Sequence, residues 1–159
     1  MTKQNLYRSR PNEVDSLFGT KKAIVAVIHS KPLPGSPEYD GESMEELYFY
    51  ALEEARRYAA GGVNALILEN HGDIPFLKPG DIGQETAAAM AVMAELIRKE
   101  TGLTIGINVL ANGALTDIAV AKAAGAKFIR VNQWANAYVA NEGFVEGEAA
   151  KVSRYRSWL

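Results

Sequence analysis

The sequence predicts an α/β fold in which parallel strands alternate with helices. Four short apolar runs rich in β-branched residues, 23–29, 63–69, 103–110 and 126–132, are separated by segments with helical patterning. None of these runs alternates apolar with polar residues, which is the pattern of strands covered on both faces. Three of the helical segments stop at glycine directly before the next strand, in "AAGGVNALIL", "TGLTIGINV" and "AAGAKFIRV". This tight helix–Gly–strand join is the αβ turn of a (β/α) repeat. The chain therefore divides into an N-terminal segment, 1–22, and four (β/α) units over 23–159.

In the N-terminal segment, Asn12 is a candidate cap and Gly19 a stop for a short helix closing the bottom of the sheet. The first strand, "AIVAVIH", ends at His29 and enters a loop carrying Pro32, Pro34 and Pro37. Three prolines fix backbone angles, and Gly35 permits close approach, so this loop reads as one wall of a ligand cup rather than as a linker. The helix 43–60 opens on the Ser43 to Glu46 spacing of a capping box and stops at Gly61-Gly62. Its Tyr48, Leu52, Ala55 and Ala59 share a stripe that reads as core, as do Met90 and Met93 in the helix 84–101. Helices over 114–124 and 146–158 complete the pattern, and Trp134 and Tyr138 are candidates for the mouth of the cup.

Composition narrows the function. The chain has 159 residues, 48% hydrophobic and 23% charged, which suits one globular core. A net charge of −2 argues against a nucleic-acid or membrane-surface binder, and Lys151, Arg154 and Arg156 read as a solvated helix face. There is no cysteine, so disulfides, thiolate nucleophiles and cysteine metal sites are excluded. The N-terminus lacks the apolar stretch of a signal peptide and no run is long enough to span a bilayer, so a cytoplasmic protein without direct membrane insertion is expected.

The connections from strand to helix are longer and more polar than the reverse ones, and in parallel α/β folds that face carries ligands. The strands end in His29, in Glu69, Asn70, His71 and Asp73, in Asn108 and Asn112, and in Arg130 and Asn132. A carboxylate or imidazole at a buried strand end costs several kcal/mol unless it is paired, so each needs a reason to be there. His29, Glu69 and Asp73 are the candidate acid/base groups. Asn70, His71, Asn108, Asn112, Arg130 and Asn132 are candidate ligand contacts, with amides for hydroxyls or carbonyls and the guanidinium for a phosphate or carboxylate. His29, Glu69, His71 and Asp73 together also offer a donor set for a divalent metal such as Zn²⁺, Mn²⁺ or Mg²⁺, although no spacing is diagnostic. Structural alternatives stand beside these: an Asx turn for Asn70 or Asp73, and a salt bridge from Arg130 to Glu69 or Asp73.

Taken in order, "FGTKKAIVAVIHSKPLPGSPEY", "GGVNALILENHGDIPF", "ETAAAM", "GINVLANGA", "AGAKFIRVNQWANAYV" and "EGFVEGEAAKVSRYR" resemble the BtpA/SgcQ family. The resemblance runs from about Phe18 to the last residue, and its "HSKPLPGSP" and "ENHGDIPF" blocks are specific. It implies a TIM (β/α)₈ barrel, of which this chain carries the first four units, as a half-barrel or truncated barrel; a full barrel runs to about 250 residues. Four strands cannot close a barrel, so open sheet edges are expected to be covered in a homo-oligomer. The family is named for a protein implicated in photosystem I biogenesis, and relatives of SgcQ are linked to sugar uptake. The resemblance thus implies three alternatives: an enzyme acting on a small polar ligand such as a sugar, nucleoside or phosphorylated compound; a non-catalytic assembly factor; or an inactive fragment.

Overall fold

A computed structural model describes residues 12–159, and residues 1–11 of the N-terminal segment lie outside the described residues. The element order is α1 (Glu13–Phe18), β1 (Val25–His29), α2 (Met44–Ala60), β2 (Ala65–Glu69), α3 (Gln84–Thr101), β3 (Thr104–Asn108), α4 (Ala114–Ala124), β4 (Phe128–Ile129), β5 (Ala137–Ala140), β6 (Gly143–Glu146) and α5 (Ala149–Trp158). Strands β1 to β4 form one parallel sheet in sequential order. Local chemistry sets the helix limits. Ser43 and Glu46 close a reciprocal capping box at the start of α2, and Gly102 and Gly125 end α3 and α4 in the left-handed conformation.

Two parts of the sequence reading are corrected. The fourth strand is a two-residue ladder, Phe128–Ile129, rather than 126–132, because its register with β3 extends only over Gly106 and Ile107. The last helix starts at Ala149 rather than at 146, because residues 137–146 form an antiparallel hairpin, β5–β6.

Alternation along the strands sorts the sheet into two unlike faces. Ile28, Leu66, Leu68, Ile105 and Ile107 point towards α2, α3 and α4 and are at most 1% exposed. Val25, Val27, Ile67 and Phe128 point the other way and stay half-buried. On this second face the Phe128 ring lies across Gly106, where a Cβ would sit 2.3 Å from the ring, and Phe18 of α1 meets Phe128 edge-on. The helices α2, α3 and α4 pack on one another and against the strands, as sequential parallel order with uniformly right-handed crossovers requires.

Candidate functional site

The site stands at the carboxyl ends of β1, β2 and β3, and register builds it. His29, Glu69 and Asn108 are paired across neighbouring strands, so their side chains leave the same face in one row. Arg130 follows Phe128 by two residues and joins that row from β4. Glu69 is the centre. Its carboxylate is 3% exposed and takes three partners: Nδ2 of Asn108 donates to Oε1 at 2.8 Å, Nη1 of Arg130 donates to Oε1 at 2.5 Å, and Nε2 of His29 lies 3.4 Å from Oε2. The His29 and Arg130 side chains are about half exposed, at 52% each. A buried carboxylate thus sits behind groups that reach outward, and Arg130 keeps donors to spare for a ligand.

His71 stacks on His29 with ring centroids 4.4 Å apart, and Phe76 meets His71 edge-on at 6.0 Å. Stacking brings ring faces together rather than nitrogens. Asp73 turns away: Oδ1 accepts from the Leu33 amide at 2.7 Å and Oδ2 from Nδ2 of Asn70 at 2.9 Å. Burial pushes the Asp73 carboxyl above its ordinary value, against the opposing pull of those two bonds. Consequently the four candidate metal ligands share no coordination sphere, and among the described residues no three His, Asp or Glu side chains converge as one.

The remaining candidates fasten the loops. Oδ1 of Asn70 accepts from the Leu110 amide at 2.7 Å. Asn112, at φ 60°, accepts from the Gln133 amide, donates through its side chain to the Glu146 carbonyl, and donates through its backbone amide to Oδ1 of Asn132. The structure therefore gathers His29, Glu69, His71, Asn108 and Arg130, and sets Asn70, Asp73, Asn112 and Asn132 to hold the rim. In the proline loop, Gly35, Ser36 and Pro37 face Asn70, Asp73, Pro75 and Phe76 across a cavity of about 260 Å³ whose lining does not include His29, Glu69 or Arg130.

Sequence reasoning missed Asp117. It lies in the first turn of α4, 0% exposed, with Oδ1 accepting from the Val109 amide at 2.5 Å and Oδ2 without a partner. Burial, reinforced by the like charge of Glu69, pushes its carboxyl up to about 8. A single carboxylate in "ALTDIAVAKAA", a helix otherwise apolar apart from Thr116 and Lys122, was the available signal.

The sequence pattern matches the BtpA family model over residues 20–159. The chain belongs to the BtpA family. An uncharacterised protein of Archaeoglobus fulgidus is 45% identical over 136 residues, covering 86% of this chain and 54% of its own length. Another from Pyrococcus horikoshii is 39% identical, covering 87% and 52%. The photosystem I biogenesis protein BtpA of Synechocystis is 36% identical, covering 89% and 49%. The chain thus spans about half the length of the curated BtpA-family relatives it matches. No solved structure gives a significant match. Among the described residues, no helix is long and apolar enough to cross a membrane.

Proposed function

We propose that this chain forms half of a (β/α)₈ barrel whose site performs acid/base chemistry on a small polar ligand such as a sugar, nucleoside or phosphorylated compound. The observation that carries the reading is Glu69, buried to 3% yet joined to His29 and Arg130, which are both half open to solvent. Arg130 suits a phosphate or carboxylate on the ligand, because only one of its donors is committed to Glu69. His29 is placed to exchange a proton with the ligand, its Nε2 lying beside Oε2 of Glu69. The barrel reading rests on sequential strand order, and on a second sheet face whose Val25, Val27 and Ile67 are only partly covered. A second copy or further (β/α) units pairing with the edges of β1 and β4 would cover that face.

The test is a melting-shift screen of the 159-residue chain against hexoses, hexose phosphates and nucleosides, alongside its mass by light scattering. A ligand that raises the melting temperature of the wild type, and no longer does so after Arg130→Met, supports the reading. A panel without any such ligand, on a chain of known mass and cooperative melt, rejects it. A second reading follows from the Synechocystis relative, whose name is that of a biogenesis protein. Under it the chain acts by holding a protein partner, and Glu69→Gln leaves partner capture intact.

A further inference from the structure

Among the described residues, four buried side-chain oxygens lack partners, and two of them belong to an amide and a carboxyl, Asn108 and Asp117. Asn108 is 0% exposed; its Nδ2 donates to Glu69, while its Oδ1 receives nothing. Asp117 is likewise 0% exposed, and its Oδ2 is the second orphan. The two residues are neighbours, because Oδ1 of Asp117 accepts from the amide of Val109, the residue after Asn108. An amide oxygen can only accept, and a carboxylate oxygen can donate only when it carries a proton.

We propose that Asp117 is a neutral carboxylic acid whose Oδ2–H donates to Oδ1 of Asn108, which fixes the Asn108 amide with its Nδ2 towards Glu69. One proton then satisfies both orphan atoms. The alternative, an ionised Asp117, would bury a second negative charge close to Glu69, and among the described residues no Lys, Arg or His pairs with it. A buried charge without a partner costs far more than a buried neutral acid. The rise of the Asp117 carboxyl to about 8 agrees with this geometry. Asp117 is a positioning residue: it orients Asn108, and Asn108 holds the Glu69 oxygen that also receives Arg130. Only its functional consequence rests on the acid/base reading of Glu69; the hydrogen bond itself does not.

Carbon-detected NMR of the labelled full chain tests it. The Asp117 carboxyl carbon should report a protonated acid at pH 6 and titrate above pH 7, and the Asn108 side-chain signals should move with the same midpoint. Asp117→Asn, whose amide can donate in place of the acid, should keep the Asn108 and Glu69 signals near their wild-type positions and abolish that shared titration. Asp117→Leu should shift both sets. Should the leucine variant fail to fold, the wild-type titration decides alone. An Asp117 that titrates in the ordinary carboxylate range overturns the proposal, as do Asn108 signals indifferent to its titration. Neither result bears on whether a ligand binds, which the melting-shift screen reads separately.

Discussion

Replacing Asp117 by asparagine should stabilise the protein, and the gain should grow with pH. The folded chain keeps this carboxyl protonated up to about 8, against an ordinary value of 3.8. Between those limits the folded state binds one proton more than the unfolded chain, so stability falls as pH rises. The loss begins above the unfolded value and stops once pH passes the folded one. Its slope is about 1.4 kcal/mol per pH unit. The asparagine side chain does not titrate and can make the same two hydrogen bonds, so the variant escapes this loss. The advantage of Asp117→Asn is then about 2 kcal/mol at pH 5 and about 4 kcal/mol at pH 7, an increase of roughly 2–3 kcal/mol. Urea denaturation of both proteins at pH 5, 6 and 7, followed by circular dichroism, measures it. Every other titrating group contributes equally to the two proteins and drops out of the difference. A difference that stays flat from pH 5 to pH 7 refutes the reasoning, because Asp117 would then ionise in the folded chain as it does in the unfolded one.

Three other substitutions probe the frame of the site. Glu69→Ala leaves Nδ2 of Asn108 without an acceptor at a fully buried position, at a cost of about 1–3 kcal/mol. His29 and Arg130 are half exposed and rehydrate, adding about 1 kcal/mol at most. Calorimetry should show the melting temperature lowered by roughly 4–8 °C, and by less for Glu69→Gln, which retains an acceptor; an unchanged melt would remove Glu69 from its anchoring role. Gly72→Ala sets a Cβ 2.5 Å from the Pro32 nitrogen, and since backbone cannot yield as a flexible side chain does, amide exchange at Leu33 should speed up. Ser43→Ala removes the capping box of α2 and should lower stability by about 1 kcal/mol in urea titration.

Much of the frame was legible because its punctuation is local. The Ser43 and Glu46 box, the glycine stops at 102 and 125, and the apolar strand runs each act within a few residues. The row of His29, Glu69 and Asn108 was legible as strand ends, and Arg130 as a partner of Glu69, since parallel pairing without a slip aligns them. The hairpin was not. "AYVANEGFVE" carries aromatic and β-branched residues on both sides of its turn, but the two turn residues, Asn141 and Glu142, are not one of the glycine-bearing pairs that mark a tight hairpin. The division of labour among the asparagines was also illegible. Whether an amide faces a ligand or a loop depends on contacts 20 to 40 residues away, such as Asn112 with Gln133 and Asn70 with Leu110. Asp117 looked like an ordinary helical residue, since its burial depends on how α4 meets β3.

The fastening of the rim has a mechanical consequence. The loops after β1, β2 and β3 are laced together at several points: Gly72 to Ser30, Asp73 to Leu33, and Asn70 to Leu110. Such an arc moves as one piece or not at all. The loop after β4 and the hairpin beyond it join this arc differently, for the side-chain hydrogen bonds that tie them to the third loop all run through Asn112. That residue acts as a pivot pin. The fastening of the hairpin to the rim thus converges on one residue beside the fourth strand, and replacing the Asn112 side chain would release its ties to Gln133 and Glu146 at once.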